Sequence, residues 1–169
     1  MIGLYTLPRQ TIRMRGKIED WSGVEQVFRT AGPPPNNEPG AAIAGGAICR
    51  DDKRLYVRID SANGRPMEGG IQRSIGISLK QDSSHELHLT FDVWSDGTNH
   101  TSIYDSVKRQ STQGGSYAIG PSFIELSFPL SWFPKGFDLT TPVDASLFAW
   151  FQGLKAGDGT GHVLVLIDR

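Results

Sequence analysis

Four aromatic side chains and their polar neighbours are the residues whose types and spacing could do chemistry. Trp94 stands beside Asp96, Asn99 and His100, and Tyr104 follows four residues later. Trp150 sits in an alternating run with Phe148 and Gln152 on its side and Leu147, Ala149 and Phe151 on the other. Flat aromatic faces stack on the C–H faces of a pyranose, and carboxylates, amides and imidazoles pair with its hydroxyls. Tyr117 is a further aromatic expected at the surface, while Trp21 and Trp132 are expected in the core.

Other chemistries are weaker. Asp51, Asp52 and Asp60 could supply oxygens to a structural calcium ion, with Asp92 and Asp96 in reserve, although no loop has a recognised calcium spacing. His85 and His88 differ by three positions, so on a strand they point to opposite faces and cannot chelate together. No serine stands in a strand-turn-helix elbow, and no pair of carboxylates stands out as an acid and base couple. Catalysis is therefore not expected. Cys49 is the one cysteine, so an intrachain disulfide is impossible, and it reads as a small buried side chain.

The elements that must position these residues are strands. Residues 47–60 read as a hairpin: a tight turn at Asp51, Asp52 and Lys53, then Leu55, Val57 and Ile59 on an apolar face. Tyr56, Arg58 and Asp60 fall on the polar one. Further alternation marks strands at 71–79, 87–93, 100–107, 122–128, 145–152 and 162–168, the last apolar on both faces and so expected to be central. Turns are expected at 81–84 and at 95–99, where Asp96-Gly97 tolerates positive φ. Residues 11–15 read as a first strand, 25–30 as a short one and 108–116 as a polar loop. Asp20 is expected to cap a helical turn, with Ile18 and Trp21 tucked under the sheet, and a second turn lies between Pro129 and Pro134. Residues 1–10 are an extended arm and 31–40 a proline-rich loop.

At 169 residues this is one domain, large enough to fold without disulfide or metal. The fold expected is an all-β, antiparallel two-sheet sandwich, jelly-roll-like, of eight to ten strands with minimal helix. A net charge of −1, with scattered basic residues, offers nothing to nucleic acid. No apolar run reaches the length of a membrane span, and the amino terminus has no basic-then-apolar signal pattern.

Three stretches resemble the landmarks of family 9 carbohydrate-binding modules and the related DOMON-like sandwiches. Gly16-Lys-Ile-Glu-Asp-Trp21 resembles the opening "DGxxxDW", with Arg15 where the pattern is acidic. Residues 51–59 resemble "DDxxLYVxI", and residues 123–130 resemble the late "xxExxIPL" strand. They occur in the family's order. The resemblance implies a non-catalytic module that binds an oligosaccharide or polysaccharide, extracellular or periplasmic, accessory to a secreted glycan-active protein. Trp94, Asp96, Asn99, His100, Tyr104, Trp150 and Gln152 are then the expected sugar-binding residues. Members of this kind clamp a terminal sugar between two loop tryptophans, and the 153–161 loop has no aromatic. Some DOMON-like domains hold a b-type haem, for which Met14 or Met67 with His100 or His162 would be the axial pair. The alternative is a structural or protein-interaction sandwich that presents the Phe148 and Trp150 strip to a partner domain.

Overall fold

The alternation at the chain's centre folds as a hairpin because one carboxylate closes its turn. Strand β3 (Ile43–Arg50) pairs antiparallel with β4 (Arg54–Ser61), and Asp51 Oδ1 accepts the backbone N–H of Lys53 at 2.9 Å and of Arg54 at 2.8 Å. Asp51 Oδ2 accepts the Tyr56 hydroxyl at 2.5 Å and the Thr11 hydroxyl at 3.0 Å. Burial pushes the Asp51 carboxyl upward, but these four donors outweigh it and hold the group at about 2.

The structure, a computed structural model, describes residues 3–30, 42–62, 72–151 and 158–168. They form a two-sheet β-sandwich. The smaller sheet runs β2 (Phe28–Arg29), β3, β4, β10 (Phe123–Pro129), β9 (Ser116–Ile119). The larger runs β1 (Tyr5–Thr6), β13 (Val163–Leu166), β11 (Val143–Phe151), β5 (Arg73–Asp82), β6 (His85–Val93), β7 (Asn99–Asp105), β8 (Gln110–Gln113). The fragment β12 (Asp158–Gly159) adds to β11. Every strand pair is antiparallel except β1 with β13. Among the described residues ten strands have four residues or more, within the eight to ten expected. Among the described residues helix is limited to 3-10 turns at Ile18–Trp21 and Leu130–Trp132, and neither is long and apolar enough to cross a membrane.

The core fills the space between the sheets. Leu55, Val57, Ile59, Ile124, Leu126 and Phe128 face Ile75, Ile77, Leu79, Leu87, Leu89, Phe91, Val143 and Leu147, and all are buried. These are the inward positions expected from period two. A second apolar cluster lies outside the smaller sheet, where Ile12, Trp21 and Val24 cover Ala47, Cys49 and Tyr56. The cover is fastened at Glu125, fully buried on β10. Its carboxylate accepts the Trp21 indole N–H at 3.0 Å and the Gly16 backbone N–H at 3.2 Å. Burial pushes this carboxyl above its ordinary range, against the pull of both bonds.

This cover corrects several expectations. Residues 11–15 are not a strand but the lid itself, and Met14 takes a left-handed backbone (φ 55°) within it. Tyr56 and Arg58, expected on the polar face, are buried beneath that lid, with Arg58 lying 5.3 Å above the Trp21 ring. Asp20 does not cap the first turn but lies inside it, held by both Arg15 nitrogens at 2.9 and 2.8 Å. Trp21 is buried as expected, whereas Ile18 is 49% exposed. Residues 110–113 are an edge strand rather than a loop, because β7 offers them a partner. The 163–166 strand is one place from its sheet's edge, with only two-residue β1 beyond it, and Leu164 is exposed. The proline-rich stretch 31–40 lies outside the described residues, as does Ile71.

Two outcomes follow from these fastenings. Trp21→Phe strands a buried carboxylate oxygen and lowers unfolding free energy by about 2 kcal/mol in urea titration. A loss within experimental error would show the lid to be held by apolar contact alone. The Asp51 carboxyl lies below its ordinary value of about 3.9, so its contribution is complete above pH 4. It is lost as pH falls toward 2. Asp51→Asn therefore flattens the acid side of the stability curve over that window, read by circular dichroism at stepped pH.

Candidate functional site

The outer face of the larger sheet carries the expected aromatics, in rows set by strand register. Trp150 pairs with Ser74, Ser74 with Asp92, and Asp92 with His100. The next row runs Phe148, Gly76, Thr90, Ser102, Gln113, and the next Ser146, Ser78, His88, Tyr104, Ser111. Because the strand period is two, all these side chains share one face. Gly76 has no side chain, so the middle row dips between Phe148 and Thr90. The glycine is required there, since a Cβ would run into the Leu89 carbonyl on β6.

The dip is a groove of about 290 Å³. Its aromatic walls are Phe148 and Tyr104, with the His88 ring between them at 5.6 and 6.0 Å. Its floor is polar. Thr90 Oγ1 donates to Asp92 Oδ2 at 2.9 Å, Ser102 Oγ lies 2.7 Å from Thr90 Oγ1, and Ser102 also reaches Asp92 Oδ2 at 3.3 Å. Both hydroxyl protons are thus committed within the floor. Asp92 itself lines the groove, and its Oδ1 accepts nothing from the described residues. Trp150 borders the groove and is 41% exposed.

At one end stands the turn after β6. Trp94 is 45% exposed and stacks on the His100 ring, centroids 3.4 Å apart and planes 20° from parallel. Thr98 Oγ1 donates to Asp96 Oδ1 at 2.6 Å and lies 2.7 Å from His100 Nε2, while Gln113 Nε2 lies 3.4 Å from His100 Nδ1. The Thr98 proton goes to Asp96, so His100 places its own proton on Nε2 and accepts from Gln113 on Nδ1. A nucleophile and base pair would need the opposite polarity. Asp96 is held below the usual carboxylate range, first by the Thr98 hydroxyl and then by its N–H.

The sheet therefore brings together Trp94, His100, Tyr104 and Trp150, with Asp96 bracing the turn. Asn99 points elsewhere: its amide donates to the Tyr117 hydroxyl at 3.2 Å, at the seam where Tyr117 meets Phe91. Gln152 lies outside the described residues. Sequence reasoning missed Ser74, His88, Thr90 and Ser102, although counting back by twos from Tyr104 and Asp92 reaches the last three, and only the register of β5 brings in Ser74. It also misplaced Trp132, which is 50% exposed rather than core, because the 3-10 turn carrying it lies beyond the core at the β8 edge.

The metal and haem candidates are not gathered. Asp51 is consumed by the hairpin turn, Asp52 lies 3.1 Å from Arg9, and Asp60 is held by Arg58 at 2.8 Å and by Gln26 at 3.0 Å. No group of three or more His, Cys, Asp or Glu able to hold a metal occurs among the described residues. Met14 packs outside the smaller sheet, opposite the face that carries His100, and His162 pairs with Asp144 at 2.9 Å. Met67 lies outside the described residues. Cys49 is buried under the lid, and that burial pushes its thiol up to about 12, far from reactivity.

A larger cleft, about 820 Å³, opens at the end of the smaller sheet between residues 15–19 and 119–123. Two of its three cations are engaged, Arg58 with Asp60 and Arg15 with Asp20, and Lys17 is the third. Its aromatics are hidden, with Phe123 buried and Trp21 under Arg58. It has volume without a stacking surface.

The exposures make a direct check. Of the four tryptophans, three are near half exposed and Trp21 is 2% exposed. Acrylamide quenches most of the native fluorescence, whereas a Trp94→Phe, Trp132→Phe, Trp150→Phe variant emits at shorter wavelength and resists quenching. Equal quenching of native and variant would contradict the placement.

Compared with protein-family models, with curated proteins and with solved structures, the chain finds no match in any of the three.

Proposed function

We propose that the protein is a non-catalytic carbohydrate-binding module and that its site is the groove on the outer face of the larger sheet. One observation carries this reading: half-buried aromatic walls, Phe148 and Tyr104, stand over a floor of Ser74, Thr90, Ser102 and Asp92, with the exposed Trp150 in the neighbouring row. Sugars present alternate apolar and hydroxyl-bearing surfaces, and this face answers both. The likeness of residues 16–21, 51–59 and 123–130 to family 9 modules agrees with it. Accessory attachment to a secreted glycan-active protein is the setting that the likeness suggests.

Open grooves of this kind bind modestly, on the order of micromolar to millimolar, roughly −8 to −4 kcal/mol. A glycan array followed by titration calorimetry tests the proposal. Trp150→Ala and Tyr104→Ala each weaken binding at least tenfold, about 1.4 kcal/mol, with the thermal unfolding midpoint little changed. Lys17→Ala and Ile18→Ala, at the larger cleft, leave affinity unaltered. If the cleft substitutions abolish binding and the groove substitutions do not, the site has been assigned to the wrong sheet.

A second reading has one observation in its favour. Leu164, exposed on β13 in register with Asp144, adds an apolar side chain to the same face as Phe148 and Trp150. A protein partner docked there would replace the glycan. Light scattering that shows mass rising with concentration, together with silence on every glycan, would select this reading.

A further inference from the structure

We infer that Trp132 is a second sugar-stacking platform reached over the β8 edge, so that the site holds the interior of a long neutral glycan rather than its end. The inference rests on the groove reading above and adds to it a length, a direction and a charge.

Trp132 is exposed yet rigidly placed. Its 3-10 turn is pinned where the Leu130 N–H donates to the Lys53 carbonyl at 2.9 Å and the Phe133 N–H to the Leu130 carbonyl at 3.2 Å, with Pro129 and Pro134 on either side. The indole lies against Gly114, where any Cβ would overlap the ring. A half-exposed indole held this way is a preorganised stacking surface, since little side-chain entropy remains to be lost on contact.

Polar groups flank it on both sides. Thr112 and Gln113 share a hollow of about 280 Å³ with the ring, and Asp105, Lys108 and Gln110 border another of about 190 Å³. Gln113 provides the continuity. It stands in register with Ser102 at the end of the groove's middle row, and its amide touches the His100 ring that supports Trp94. A chain laid across the strands from Phe148 passes Gly76, Thr90 and Ser102, then meets Gln113 and the Trp132 hollow. From β11 to β8 is four strand steps, roughly 19 Å, longer than any single sugar.

The charge follows from the same register. The outward positions of β5, β6, β7 and β11 carry Asp92, Glu86 and Asp144 against one lysine, Lys80. A uronate-rich chain would be repelled there, and a neutral one would not.

The test uses the full chain and neutral β-1,4-linked glucose, xylose and mannose oligosaccharides, as tri- and hexasaccharides, in titration calorimetry. The native protein binds its hexasaccharide at least tenfold more tightly than the trisaccharide, and borohydride reduction of the chain end changes neither value. Trp132→Ala removes the hexasaccharide's advantage and leaves the trisaccharide unchanged, while Trp132→Phe keeps part of it. Equal affinity for the two lengths, or a hexasaccharide advantage that survives Trp132→Ala, overturns this inference and leaves the groove standing. A loss of affinity on end reduction also overturns it. Failure of the native protein to bind any member of the panel overturns this inference and the groove reading together.

Discussion

A carboxylate buried on the smaller sheet, between β4 and β9, governs what the rest of the molecule can do. Glu125 is shut away from water on β10, and a buried carboxylate is tolerated only when donors surround it. The chain answers with the indole N–H of Trp21 and the backbone N–H of Gly16, both from the amino-terminal segment. Gly16 is itself obliged to be glycine, since its φ is +70° and a Cβ would press on the Ile119 carbonyl. With those two donors fixed, the segment must lie over β3, β4 and β10. Ile12, Trp21 and Val24 then bury the face that Ala47, Cys49 and Tyr56 would otherwise expose. The apolar contact helps offset the cost of hiding the charge.

The sandwich becomes unequal as a result. Strands β3, β4 and β10 are buried on both sides, in the manner usual for parallel sheets, although they pair antiparallel. The larger sheet keeps an aromatic and polar face toward solvent, and the groove lies there. The resemblance to sugar-binding sandwiches acquires a physical meaning in this light. Gly16, Trp21, Asp51 and Glu125, which carry it, are lid, turn and latch residues. They bear on how the fold closes and touch no part of the groove.

Much of the fold was legible because the core imposes period two wherever a strand has one dry face. Leu55, Val57 and Ile59, or Leu87, Leu89 and Phe91, leave no other choice. The pattern fails where that cause is missing. Strand β8, Gln-Ser-Thr-Gln, is exposed along its whole length and owes its existence to hydrogen bonds with β7, which leave no apolar signature. Residues 11–15 fail in the opposite sense, since their Ile12 is buried by lying across a sheet rather than joining it. Tyr56 and Arg58 looked wet because local alternation cannot report a lid arriving from forty residues away. Trp132 looked dry because a proline-bounded turn reveals its shape but not its distance from the core.

The candidate groove was only partly legible: the sheet gathers Trp94, His100, Tyr104 and Trp150, whereas Asn99 turns to Tyr117. Alternation around Trp150 placed it on an outward face, but its joining with Tyr104 on one surface depends on registers across β11, β5, β6 and β7 that no single strand encodes. The floor shows what this assembly adds. Thr90 and Ser102 sit on different strands, and only their direct pairing lets both turn their protons inward to Asp92. With both protons spent on Asp92, this part of the floor is biased toward accepting hydrogen bonds, while Ser74 keeps a hydroxyl beside it. A ligand for such a surface must bring donors in quantity and flat apolar faces to meet Phe148 and Tyr104. A peptide in extended form offers its donors only every second residue along one edge. A pyranose chain offers several on every ring, and this asymmetry of donors and acceptors is the ground on which the proposed reading prefers a sugar to a strand.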